Sequence, residues 1–248
     1  VHAETGSGID ANADGVHASL ERVQISSNGS NVAGIRVPSE SVVVAKDVSI
    51  RMTGEKGVGV DNRAGTVTLD GGSIKTLGTS GHGIYVSERD GGGSGSGATT
   101  TARGVAVETF GNSAIGVVSR LSGSNVELEG GSVTTHGHTA YGMLANGARL
   151  DATGTIVRTA GAGSHGLMMG NQGAQASLDG VDMSTEMIDR ALAQEAQQPL
   201  GFRYLLADAR DLSVLGDARY DLVLAVFLFN YLDLSGATRV LSEAYRRL

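Results

Sequence analysis

The stretch VELEGGSVTTHGHTAYGMLANGA, Val126 to Ala148, sets two glycines, Gly137 and Gly142, five residues apart among small polar and aliphatic residues. A lone segment of this kind would read as strand and turn. It does not stand alone. The first glycine belongs to a column of Gly29, Gly54, Gly78, Gly111, Gly137 and Gly161; the second belongs to Gly34, Gly59, Gly83, Gly116, Gly142 and Gly166. Successive spacings are 25, 24, 33, 26 and 24 residues, and the long one contains GGGSGSG (Gly91–Gly97), which reads as a flexible insertion.

Other columns keep the same step. Four places before the first glycine stand Ile25, Ile50, Ile74, Val107, Val133 and Val157; two places before it stand Ser27, Met52, Thr76, Thr109, Thr135 and Thr159. Directly after the second glycine come Ile35, Val60, Ile84, Val117, Met143 and Leu167. Short β-branched runs that end at glycines are strand and turn grammar. A fixed period with aligned columns predicts a mainly β fold, a right-handed parallel β-helix (solenoid) whose coils stack at about 4.8 Å. About seven coils would form a rod, with the aliphatic columns inside. A β-sandwich is the alternative, but it has no need of aligned columns.

Composition changes abruptly near Met183. Residues 1–183 hold 35 of the 38 glycines, all six histidines and all three lysines, but only Tyr85, Phe110 and Tyr141 as aromatics. Residues 184–248 hold three glycines, thirteen leucines and the other seven aromatics. The expected organisation is therefore a solenoid over 1–183 and an incomplete α/β (Rossmann-like) fragment over 184–248. Such a break marks a domain boundary or a junction of unrelated sequences. The segment GVDMST (Gly180–Thr185) satisfies both grammars: Met183 fits the aliphatic column and Thr185 the Ser/Thr column, while position 187 is Met rather than glycine.

Beyond it, TEMIDRALAQEAQQ places Met187, Ile188, Ala191 and Leu192 on one helical face, with Ser184 or Thr185 as cap and Pro199 and Gly201 as stop. FRYLLAD (Phe202–Asp208) reads as a strand, YDLVLAVFLF (Tyr220–Phe229) as a strand buried on both faces, and SGATRVLSEAYRRL (Ser235–Leu248) as a final helix with Val240, Leu241, Ala244 and Tyr245 on its apolar side.

Units such as VELEGGSVTTHGHTAYGMLANGA and VTLDGGSIKTLGTSGHGIYVS (Val67–Ser87) resemble passenger domains of pertactin-type bacterial autotransporters. That resemblance implies export, display at the cell surface or outer membrane or secretion, and an adhesive role toward a host or neighbouring-cell surface. In the tail, GVDMSTEMIDRA, LLADARDL and YDLVLAVFLFNYL resemble class I S-adenosylmethionine-dependent methyltransferases. There the resemblance implies Asp182 at the ribose hydroxyls, Asp208 and Ala209 at the adenine, and Asn230 and Tyr231 near methyl transfer. It would make the chain cytoplasmic, with S-adenosylmethionine as cofactor.

That family requires a glycine-rich turn after a first strand, where backbone amides meet the cofactor at a helix N-terminus. Upstream of Asp182, Gly170 and Gly173 offer only G-x-x-G, and the 12 positions from Gly170 to Asp182 are too few for turn, helix and second strand. The expectation is a non-catalytic structural or adhesin-like solenoid, without cofactor, joined to a non-functional methyltransferase fragment; the alternative is a methyltransferase with an unusual N-terminal solenoid.

The formal charge of −7 carries no basic stripe, so nucleic acid is not an expected partner. No apolar run reaches membrane-spanning length, and a monomer is expected. The absence of cysteine excludes disulfides and thiolate metal sites. His136 and His138 flank Gly137 without an evident third ligand. His82 and His165 share a column before a glycine and read as turn residues. Asp10, Asn12 and Asp14 begin like a calcium loop but lack the closing glutamate. No metal site and no catalytic set is predicted.

Overall fold

The computed structural model describes residues 1–88, 97–170, 179–197, 203–216, 220, 222–224 and 228–248. They form two compact units, Val1–Ala174 and Gln175–Leu248.

The first unit is a parallel β-solenoid with three strands per coil. One sheet carries the strands Gln24–Ser27, Ser49–Met52, Ser73–Thr76, Ala106–Thr109, Ser132–Thr135 and Thr155–Thr159 in order. A second, seven-stranded sheet runs from Ile9–Asp10 to Leu167–Gly170. A third, six-stranded sheet runs from His17–Glu21 to Arg149–Thr153. Strands within each sheet pair one coil apart, and register follows the sequence columns. Ile25, Ile50, Ile74, Val107, Val133 and Val157 are aligned partners. So are Ile35, Val60, Ile84, Val117, Met143 and Leu167. All but Leu167 are buried.

Both glycine columns have steric causes. A β-carbon on Gly54, Gly78, Gly111, Gly137 or Gly161 would collide with the carbonyl of the column's glycine one coil earlier. A β-carbon on Gly34, Gly59, Gly83, Gly116 or Gly142 would collide with a γ-carbon of the β-branched residue one coil later. Gly8 opens this second column against Ile25, a member the sequence columns do not include. The coils are thus close-packed where a side chain is missing.

The Ser/Thr column braces the same corner. The hydroxyls of Thr76, Thr109 and Thr135 donate to the carbonyls of Gly81, Ala114 and Ala140, five residues on, at 2.6, 2.7 and 2.6 Å. All three threonines are fully buried, so each polar group has found the partner that burial demands. Asn62, buried at the end of a strand of the second sheet, bonds at a different corner. Its amide nitrogen reaches the carbonyls of Gly65 and Thr99, both at 2.9 Å, and its oxygen accepts from the Gly65 amide at 3.0 Å. Of the insertion Gly91–Gly97, all but Gly97 lies outside the described residues.

The second unit differs from the sequence expectation at its start. The strand Asp179–Asp182, which the repeat register would assign to a further coil, pairs in parallel with Arg203–Leu206. Met183 is 63% exposed instead of filling an aliphatic column, and Thr185 opens helix α1 (Thr185–Gln197). Within this unit strand, helix and strand form a βαβ element. Only Ile188 of the expected apolar face is buried; Met187 and Leu192 stay about half exposed. Of the strand expected from YDLVLAVFLF, Leu222–Leu224 is a strand and Leu228–Tyr231 is instead a 3₁₀ turn; residues 221 and 225–227 lie outside the described residues. Pro199 and Gly201 lie outside the described residues.

Helix α2 (Leu234–Arg247) begins at Asp233, whose carboxylate accepts from the Gly236 amide at 2.7 Å. It buries Val240 but leaves Leu241 and Tyr245 exposed. Among the described residues no helix is long and apolar enough to cross a membrane.

Candidate functional site

The carboxyl ends of parallel strands are where open α/β sheets bind ligands. In the second unit that edge carries both predicted carboxylates. Asp182 closes its strand opposite Leu206, and its carbonyl accepts from the Ala207 amide at 2.9 Å. Its exposed side chain accepts from the Ser184 amide at 2.7 Å. Ser184 then caps α1, accepting from the Met187 amide at 3.3 Å through its hydroxyl and from the Ile188 amide at 3.1 Å through its carbonyl. The strand end and the helix start are thereby tied through one carboxylate.

Asp208 lies two residues beyond the neighbouring strand. Its Oδ1 accepts from the Arg210 amide at 2.9 Å and Nε at 3.0 Å; its Oδ2 accepts from Nε at 2.9 Å and Nη2 at 2.6 Å. These bonds hold the Asp208 carboxyl below the usual carboxylate range, the Arg210 side chain contributing most. A carboxylate offers about four acceptor sites, and here four contacts come from one arginine. For an adenine amino group to be read by Asp208, Arg210 would first have to move. Ala209 sits in the turn between them, half-buried. Tyr231 is 86% exposed, and the Asn230 side chain lies outside the described residues.

The sheet that carries Asp182 has two strands among the described residues, Asp179–Asp182 and Arg203–Leu206. No strand lies on the other side of Asp179–Asp182 within it. Sequence reasoning weighs only Gly170 and Gly173 for the glycine turn, finds them insufficient, and misses a better spacing. Gly161-Ala-Gly163-Ser-His-Gly166 is G-x-G-x-x-G. The spacing alone could have revealed it, but all of it falls in repeat register.

All three glycines fall in the last coil. At Gly161 the Gly137 carbonyl fills the place of a β-carbon. Gly163 has φ +68°, at the column position where Asn31, Lys56, Ser80, Ser113 and Thr139 also adopt positive φ. The Gly166 carbonyl lies 2.6 Å from where Gly142 would carry a β-carbon. Gly161–Gly166, a spacing that a cofactor-binding turn also uses, is here a solenoid corner. Gly173 lies outside the described residues.

Of the other candidates, His136 bonds Glu108 at 3.0 Å and stacks on Phe110 with 4.4 Å between ring centroids. Asp10 pairs with Arg36 at 3.2 Å, and Asp14 accepts from the Glu40 amide at 3.2 Å. Among the described residues no group of three or more metal-ligating side chains gathers.

A family model described as a methyltransferase domain matches residues 159–248, roughly the C-terminal third of the chain. The match crosses the boundary between units: through Ala174 its residues belong to the solenoid. No curated protein matches the chain, and no solved structure does.

Proposed function

We propose that the chain is a non-catalytic solenoid scaffold of adhesive type, carried at a cell surface, and that its α/β unit is a methyltransferase remnant that does not bind S-adenosylmethionine. One observation carries this reading: Gly161 and Gly163 lie in the corner of the last coil, where the Gly137 carbonyl fills the place of a β-carbon on Gly161 and Gly163 takes the left-handed backbone shared by its column. A cofactor loop needs the same backbone open to ligand, with amides directed at it. The bidentate Asp208–Arg210 pair supports the reading, because it occupies the acceptor that adenine would use. The pertactin-type resemblance of the repeats supports a role in contact with another cell's surface.

The competing reading, a cytoplasmic methyltransferase with an N-terminal solenoid, is favoured by the family match and by Asp182 and Asp208 sharing one strand-end edge. Calorimetric titration of the whole chain with S-adenosylmethionine separates the two. Absence of saturable heat is the expected result; micromolar binding would reverse the assignment.

A further inference from the structure

Tyr85 lies on the outward side of the second sheet, between the buried Ile84 and Val86. Three cationic or hydrogen-donating groups gather on it. The Arg63 guanidinium sits over the ring at 4.5 Å from its centroid, and Arg120 donates to the phenol oxygen at 3.1 Å. The His82 ring stacks on it, with 5.8 Å between centroids and planes 19° apart.

The protonation pattern of His82 follows from its bonds. Its Nδ1 lies 3.0 Å from the Ile115 amide nitrogen, which can only donate, so Nδ1 is an acceptor and the neutral ring carries its hydrogen on Nε2. Burial, and after it the nearby Arg120 charge, push the His82 pKa down to about 4, so the ring is neutral at physiological pH. The phenol oxygen already accepts from Arg120, leaving its own hydrogen available to donate.

Acceptors around this cluster are already engaged. Asp61, the register neighbour of Tyr85, pairs with Arg63 at 2.5 Å, and the Glu88 carboxylate accepts from the Gly123 amide at 2.7 Å. Among the described residues Arg120 has no carboxylate partner: its one bond is to a neutral phenol. A half-buried imidazole N–H, a phenol O–H and a guanidinium thus gather at one ring, and none has an anionic partner among the described residues.

We propose that His82, Tyr85 and Arg120 form a binding site for a carboxylate group. A carboxylate is acceptor-only and planar, so it complements a guanidinium flanked by neutral donors, and charge-assisted bonds of this kind are the strong ones. The scaffold is preorganised: the Ile115 amide fixes the tautomer, Arg63 holds the ring, and Tyr85 and Arg120 rest on paired strands of successive coils.

The test uses the full chain labelled with ¹⁵N-histidine and follows the His82 ring signals by NMR. Sodium glucuronate, sodium acetate and glucose are added in separate titrations at constant ionic strength. Saturable shifts of the His82 Nε2–H signal with glucuronate and acetate, but not glucose, mark a site that reads the carboxylate alone. Shifts with glucuronate only mark a sugar-borne carboxylate as the ligand.

Arg120→Gln should weaken the response about tenfold or more, equivalent to ~1.4 kcal/mol, while Arg158→Gln leaves it unchanged. Amide spectra outside the site report that each variant is folded, and Tyr85→Phe, which keeps the ring, supplies a second variant should Arg120→Gln unfold. No shift with either acid, an equal response to glucose, or an unaltered response in the folded variant would overturn the proposal. Because S-adenosylmethionine plays no part in these titrations, failure here leaves the preceding reading of the α/β unit standing.

Discussion

Gly116 and Val133 occupy one space between them: the Cγ1 of Val133, one coil on, fills the position that a β-carbon on Gly116 would take. The Gly142 carbonyl lies 2.6 Å from the same point, so the crowding is against backbone as well as side chain. Gly116→Ala must push one coil away from the next. Overpacking of this kind costs about 1–3 kcal/mol, and urea denaturation should show that loss. In a Val133→Ala background the glycine substitution should cost less, giving a coupling of ~0.5 kcal/mol or more in a double-mutant cycle. Additive effects would mean that the two residues do not share the space.

Thr139 adopts φ +50°, a left-handed conformation that is costly for a β-branched residue. Its column neighbour one coil on is Gly163, and one coil back is Ser113. Thr139→Asn keeps a polar side chain and tolerates that backbone region better. The variant should be more stable by about 0.5–1 kcal/mol, read as an increase in the denaturant midpoint with unchanged slope. A lower midpoint would show that the Thr139 hydroxyl, 3.1 Å from that of Ser113, matters more than the backbone strain.

His82 makes the solenoid sensitive to acid in a defined window. Its pKa is lowered by burial and by Arg120 to about 4, against 6.5 for the free side chain. Between those values the unfolded chain binds a proton that the folded chain does not, so stability rises with pH through the window and falls as pH drops from 6.5 toward 4. Above the window the histidine is neutral in both states and makes no pH-dependent contribution. Allowing for partial solvent access, the loss should be about 2–3 kcal/mol. Unfolding midpoints at pH 7.5 and pH 4.5 should differ by less in His82→Gln than in the unaltered chain. Equal differences would assign the acid sensitivity to other groups.

Most of the first unit was legible because solenoid register repeats in sequence. Ile74 and Val107 align in the chain and also pair in the sheet, so column and contact are the same fact. The left-handed column of Asn31, Lys56, Ser80, Ser113, Thr139 and Gly163 was not legible, since six different positions hold five residue types. The allegiance of Asp179–Asp182 was hidden for another reason. A strand shows its propensity locally, but its partner, here Arg203–Leu206, is chosen by non-local pairing. The glycine turn suffered a related ambiguity. Gly161, Gly163 and Gly166 have a spacing that two folds use for different purposes, close coil stacking in one and close ligand approach in the other. Asp208 was singled out by a motif, while its bond to Arg210 needed the turn geometry to become visible.

The strand Leu167–Gly170 ends the second sheet among the described residues: it pairs with Met143–Asn146 on one side and with no other described strand in that sheet. Backbone groups along a parallel strand point alternately to its two sides, so about half of its amides face the open edge. Packing weakens along with pairing: Leu167 is only partly buried, whereas its column partners Val117 and Met143 are wholly so. Local opening should therefore begin here. Amide hydrogen exchange in Leu167–Gly170 should be about tenfold faster or more than in Val117–Arg120, which lies between two paired strands. The comparison is internal to one sheet, so temperature and pH affect both segments alike. Equal protection in the two segments would mean that the last coil opens only with the whole solenoid, and that its exposed edge carries no separate cost.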